Sequence, residues 1–126
     1  MAKAEKRRKA TPRLPKQLKL AVSAASDKQA TDVTVLDLRK AAGFTDFFLI
    51  CSGGNSRQIR AIADGINQAL AAEGVKPTHI EGYDRSEWIL LDYFDFIVHV
   101  FGKETRVFYG LERLWGNAEP VEVESA

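Results

Sequence analysis

The sequence predicts an α/β domain in which a mixed β-sheet is packed by helices, and three observations carry that expectation. Phe47-Phe48-Leu49-Ile50-Cys51 is a continuous apolar run closed by Ser52-Gly53-Gly54, the pattern of a strand covered on both faces. Directly after it, Ile59, Ile62, Ala63, Ile66 and Leu70 recur at helical spacing, so a central strand passes into an amphipathic helix. Two more β-rich runs, Trp88 to Leu91 and Asp95 to Phe101, follow with only Asp92-Tyr93-Phe94 between them.

The remaining elements fall into place around these. From Pro15 a first helix is expected, since Leu18, Ala21, Val22 and Ala25 share one face and proline suits a first turn. Val33 to Leu38 is aliphatic and β-branched, and reads as a strand. Asn55 caps the second helix with Gln58 three residues on, and Gly74 ends it. Thr78 to Glu81 forms a short strand, and Gly82 to Ser86 a turn. A last helix is expected from Lys103 to Trp115, with Val107, Phe108, Leu111, Leu114 and Trp115 inward and Gly116 as its stop. The order is α-β-β-α-β-β-β-α, without an internal repeat.

A chain of 126 residues has room for one such core. We divide it into a flexible basic arm at 1–14, a folded domain at 15–118 and an acidic tail at 119–126, where Glu119, Glu122 and Glu124 gather. Lys3, Lys6, Arg7, Arg8, Lys9, Arg13, Lys16 and Lys19 face only Glu5, so residues 1–19 carry +7. With a total of +1, residues 20–126 carry −6, which points any RNA contact to the arm and away from the domain. The arm also has the composition of an organelle transit peptide, against which Glu5 and the prolines argue. No apolar run approaches the roughly 18–20 residues of a membrane-spanning helix, so a cytoplasmic location and no membrane partner are expected. A single cysteine, Cys51, excludes internal disulfides and cysteine-based metal clusters.

Few residues invite a catalytic reading. Cys51 and His99 are the elements of a nucleophile and base pair, but both lie in apolar strand runs, where cysteine is a small hydrophobe and histidine structural. His79 stands alone in a polar stretch, short of the three ligands a metal needs. Ser52-Gly53-Gly54-Asn55-Ser56 opens a helix and so could receive an anion, yet it has neither P-loop nor dinucleotide spacing, and a tight turn into a capped helix explains it. Asp92 and Asp95 would be the carboxylates of a metal-dependent nucleotidyltransferase, but the usual Asp-x-Asp pair on one strand is missing. No catalytic residue, metal site or cofactor is assigned. Trp88, Tyr93, Phe94 and Phe96 instead gather around a tight connection between aspartates. Tyr93 and Phe94 resist joint burial, and a mixed aromatic and acidic ridge suits a basic partner.

Asp37-Leu38, Thr45 to Gly53, Ser56 to Asp64, Glu81-Gly82, Trp88 to Tyr93, Asp95, Val98 to Phe101, Arg106, Phe108-Tyr109, Leu111-Glu112 and Leu114-Trp115 together resemble the Iojap-like ribosomal silencing factor family, from about residue 18 to 118. The resemblance implies a nucleotidyltransferase-like core without the catalytic set, hence a chain that is not an enzyme. It also implies an anti-association factor that binds the large ribosomal subunit through universal large-subunit protein fourteen and blocks the small subunit, with organelle relatives linked to large-subunit assembly. Carried over by position, the docking candidates are Trp88, Leu91, Asp92, Tyr93 and Asp95, then Glu81 and His99. Phe94 stands where the family often has glycine, and Gly102-Lys103 departs from the usual residues before the last helix. Contact of the arm with ribosomal RNA and formation of a homodimer are left open by the resemblance. A metal-dependent nucleotidyltransferase and an RNA-binding module acting through its basic arm are the alternatives.

Overall fold

The computed structural model describes residues 15–40, 43–110 and 119–121, apart from the side chains of 107–109 and 119. Helix α1 (Lys16–Asp27) leads into β1 (Thr31–Asp37) and β2 (Phe47–Gly53). Helix α2 (Ser56–Ala71) follows, then β3 (His79–Glu81), β4 (Trp88–Asp92), β5 (Phe96–Gly102), α3 (Lys103–Tyr109) and β6 (Glu119–Val121). The six strands form one mixed sheet in the order β3-β4-β5-β2-β1-β6. Among the described strands only the central pair, β2 with β5, is parallel. All seven residues of β2 are buried, as its unbroken apolar run predicts.

Alternation along the strands assigns each side chain a face. Val35, Leu49, Cys51, Ile89, Leu91, Val98 and Val100 meet the apolar stripes of α1 and α2, including Leu18, Ala21, Ile62 and Ile66. Leu36, Leu38, Phe48, Ile50, Ile97 and Phe101 form a second cluster on the opposite face, with Trp88 and Leu90 partly buried against it.

Local chemistry sets the helix ends. The Gln58 amide N–H donates to Asn55 Oδ1 at 2.8 Å, while Gln58 Oε1 accepts from the Gly54 amide, one residue earlier than in the usual capping box. Gln58 Nε2 also donates to the carbonyls of Lys28 and Gln29, tying the start of α2 to the end of α1. A Cβ on Gly53 would press on Ile59, so this glycine answers to close packing of strand and helix. Gly74, at φ 78°, closes α2 with the Val75 amide donating to the Leu70 carbonyl at 2.9 Å.

Besides strand ends that shift by one or two residues, three features differ from the sequence reading. Strand β1 starts at Thr31 because a register shift between Thr31 and Thr34, with Asp32 at φ 52°, lets the chain keep pairing past an irregular residue. Helix α3 ends at Tyr109, not Trp115: Gly110 takes the left-handed conformation (φ 56°, ψ 45°) and its amide donates to the Arg106 carbonyl. The expected inward residues Leu111, Leu114 and Trp115, and the side chains of Val107 and Phe108, lie outside the described residues. Finally, Glu119–Val121, read as the start of an acidic tail, is an edge strand paired antiparallel with β1, and Val121 is buried in the helix-side core. A three-residue strand containing proline carries no period to detect, and proline is tolerated there because the strand is an edge. The fold therefore extends beyond residue 118.

Candidate docking site

The parallel pair places the starts of β2 and β5 side by side, and the loops leading into them are stitched together. Asp46 donates its amide to the Asp95 carbonyl at 3.0 Å, and Thr45 Oγ1 donates to the Phe94 carbonyl at 3.0 Å. The β4–β5 connection is closed by the Tyr93 amide donating to the Phe96 carbonyl at 2.9 Å. Within it the Asp95 amide donates to the Tyr93 carbonyl, spanning a single residue, Phe94, whose φ is 74°. A three-residue turn of positive φ is uncommon and strained for a residue with a Cβ. Asp92 Oδ1 steadies it by accepting from the Phe94 amide at 2.8 Å.

The seven docking candidates separate into groups. Asp95 and Glu81 are exposed and Asp92 partly so. Trp88 is partly buried on the sheet face opposite α1 and α2, sharing that face with Leu90, His99 and Phe101. The other three do not present themselves. Leu91 faces the helices and is buried. Tyr93, expected at the surface, is only 7% exposed: its ring stacks on Phe96 at 5.2 Å and its hydroxyl lies 3.3 Å from Asn67 Oδ1 on α2. The tight turn resolves the crowding of two rings by sending Tyr93 inward and Phe94 outward. Burial pushes the Tyr93 phenol up to about 12.

His99 is also buried. The Trp88 indole Nε1–H donates to His99 Nδ1 at 3.1 Å, so Nδ1 is the acceptor and the neutral ring carries its proton on Nε2. That Nε2 has no hydrogen-bond partner among the described residues, and the His99 and Phe48 rings meet edge to face with centroids 4.5 Å apart. Removal from water pushes the imidazole down to about 3.

Burial also accounts for the residues with catalytic appearance. Cys51 lies on the helix side and His99 on the other, so the sheet itself separates them. Desolvation raises the Cys51 thiol to about 12, leaving it without thiolate character. His79 Nε2 pairs with Glu81 Oε2 at 2.8 Å on the edge strand. Asp37 is held below the usual carboxylate range, first by the side-chain hydrogen bonds of Arg39. Among the described residues no three His, Cys, Asp or Glu converge on a metal position.

What lies open at this end of the sheet is aromatic and acidic. Phe94 is 72% exposed and Phe44, on the neighbouring loop, 56%. Segments 43–46 and 92–95 contribute Asp46, Asp92 and Asp95, while the earlier part of the β1–β2 loop carries Arg39, bonded to Asp37, and Lys40. Phe94 belonged to the sequence-level ridge without being chosen as a contact, and Phe44 was missed. The departure from the glycine that the resemblance implies was the available signal for the first; a lone apolar residue before a strand offers none for the second.

On the other side of β4 the 82–86 loop is fixed to α2. Gly82 has φ 78°, and a Cβ there would overlap the Trp88 carbonyl, so only glycine fits. Tyr83 donates to Asp64, and buried Ser86 accepts from Arg60 Nη1 at 2.8 Å while donating to the Tyr83 carbonyl. These contacts hold the backbone from which Trp88 projects.

Among the described residues the sheet seals the nucleophile and base candidates apart, and its open end presents rings and carboxylates, an arrangement suited to binding a protein partner. A family model described as "Ribosomal silencing factor during starvation" matches residues 11–126. The chain is 42% identical over 107 residues to "Ribosomal silencing factor RsfS" of Halalkalibacterium halodurans, covering 85% of this chain and 92% of that one. It is 30% identical to "Mitochondrial assembly of ribosomal large subunit protein 1" of Mus musculus, across 75% of this chain and 42% of the longer relative. A crystal structure from Chromobacterium violaceum superposes with a TM-score of 0.80 at 31% identity, covering 91% and 97% of the two chains. The chain belongs to the ribosomal silencing factor family, also called Iojap-like, and is not an enzyme. The nucleotidyltransferase-like core implied by the resemblance agrees with the six-stranded mixed sheet. No described helix is long and apolar enough to cross a membrane.

Proposed function

We propose that this chain binds the large ribosomal subunit through universal large-subunit protein fourteen and sterically prevents the small subunit from joining, so repressing translation. The observation that carries this reading is the family match over residues 11–126, nearly the whole chain. The name of the mouse relative supports the large subunit as the particle, and with it a part in large-subunit assembly. The mechanism requires no chemistry: two bodies cannot share one intersubunit surface, and the block follows occupancy, rising as the factor exceeds its dissociation constant.

The docking surface is the β3–β4–β5 side of the sheet, where Asp92 and Asp95 stand at the β4–β5 turn, Glu81 on the edge strand and Trp88 at the far end of β4 opposite Phe101, all four retained from the sequence-derived set. Leu91, Tyr93 and His99 support it from within. Carboxylates suit a basic ribosomal protein and steer its approach at a rate that falls with salt. Purified protein is expected to sediment with free large subunits and to lower their joining to small subunits; equal binding to small subunits alone would overturn the proposal. Asp95→Lys sets a cation against a basic partner and should weaken large-subunit binding roughly thirtyfold, a loss of about 2 kcal/mol, with an unchanged melting temperature because Asp95 is exposed.

The basic arm supplies a second, sequence-independent contact to ribosomal RNA. Deleting residues 1–13 should leave the domain folded, weaken binding modestly and flatten its dependence on salt, since fewer counterions are then released from RNA. Titrations at several salt concentrations test this, and an unchanged slope would show that the arm does not touch RNA.

A further inference from the structure

We propose that Phe94, with Phe44 on the adjoining loop, is an apolar anchor that this chain inserts into a basic protein surface of the large subunit, an inference that rests on the function proposed above. Phe94 combines two costs. Its ring is 72% exposed to water, and its backbone sits at φ 74° in a one-residue turn that a glycine would occupy without strain. Neither cost is recovered by packing of the ring within the described fold, whereas the neighbouring Tyr93 ring is stacked and buried.

The conformation is nonetheless held from three directions. Asp92 Oδ1 takes the Phe94 amide, Thr45 Oγ1 donates to the Phe94 carbonyl, and the Asp95 amide bridges to the Tyr93 carbonyl. The Thr45 bond comes from the loop that carries Phe44, so the two exposed rings stand on adjoining, mutually bonded loops. Strain held by surrounding contacts, with the side chain pushed outward, marks a group set in place before its partner arrives.

The surroundings select the class of partner. Asp46, Asp92 and Asp95 are the charges nearest the two rings in sequence; the β1–β2 connection also carries Arg39, engaged by Asp37 through two side-chain hydrogen bonds of 2.8 and 3.0 Å, and the exposed Lys40, so carboxylates outnumber the remaining cation. Carboxylates repel RNA phosphates, so stacking of the rings on ribosomal RNA is disfavoured. A protein surface with an apolar recess rimmed by lysine or arginine meets both features, the ring filling the recess and the acids pairing around it.

Phe94→Gly provides a test that unfolding cannot imitate, since it deletes the ring and relaxes the turn together. Its melting temperature should equal or exceed that of the parent chain. Large-subunit affinity of parent, Phe94→Gly and Phe44→Ala should be measured by sedimentation, alongside the oligomeric state of each free protein. At least a tenfold loss for Phe94→Gly, with a smaller loss for Phe44→Ala, supports the anchor. Unchanged affinity of Phe94→Gly overturns it while leaving the proposed function standing. Failure of the parent chain to bind large subunits overturns both. Conversion of a parent dimer to a monomer by Phe94→Gly, with ribosome affinity unchanged, would assign the ring to self-association and equally overturn it.

Discussion

Tyr93→Ala is expected to lower folding stability by about 3 kcal/mol, within the usual cost of truncating a buried aromatic residue. The ring lies among Phe96 and the helix-side core, and its hydroxyl reaches Asn67, so truncation leaves a cavity and removes the link between the β4–β5 turn and α2. Tyr93→Phe should cost much less, because only the 3.3 Å hydroxyl contact is lost. Urea unfolding of the two variants measures the difference. Weak ribosome binding by Tyr93→Ala would then report an unsettled turn and not a lost contact. Nearly equal stability of Tyr93→Ala and the parent would show that the ring is not part of the core.

Acid should destabilise the chain through His99. Burial lowers its folded pKa to about 3, against about 6.5 for an unfolded histidine. Above pH 6.5 both states are neutral at this site and stability does not depend on it. As the pH falls below 6.5 the unfolded chain takes up a proton that the folded chain refuses, so stability declines by about 1.4 kcal/mol per pH unit, until the pH nears 3. The loss by pH 4.5 is about 3 kcal/mol. Asp37 acts with the same sign in a lower window: its folded pKa is lowered, so its contribution is complete above the ordinary value of 3.8 and is lost as the pH drops further, through the lowered value. His99→Asn keeps an acceptor for the Trp88 indole and removes the titration. Urea unfolding at pH 7 and 4.5 should show the acid loss in the parent chain and little of it in the variant; equal losses would exclude His99 as the cause.

The elements legible in the sequence were those whose periodicity is long. Strand β2, α2 with its Asn55 cap, and the α1 stripe were all readable because burial repeats over several turns or residues. Strand β6 was not, since three residues cannot display a period, and its place is set by pairing with β1 across the chain. The end of α3 at Gly110 was obscured by apolar residues that continue the helical spacing past a glycine, and only the left-handed conformation at Gly110 reveals the stop. At the candidate site the sequence located the region but not the orientation of its side chains. Tyr93 and Phe94 are adjacent, and which ring turns inward depends on a positive φ at the second of them. Leu91 and His99 follow from strand alternation once the helix-bearing face is known, a fact that no local pattern contains.

The bond from Thr45 to the Phe94 carbonyl joins residues 49 positions apart in the chain. The loops it unites come together only when β5 aligns beside β2, the one parallel pairing among the described strands, with α2, β3 and β4 all lying between them in sequence. Such a distant pairing closes a long loop and belongs to the slow part of folding. During synthesis the first half of the chain, including Phe44 and Asp46, emerges without the strand that completes their surroundings. The proposed docking surface is thus assembled only after the second half has been made, and a nascent or truncated copy ending before β5 lacks this end of the sheet.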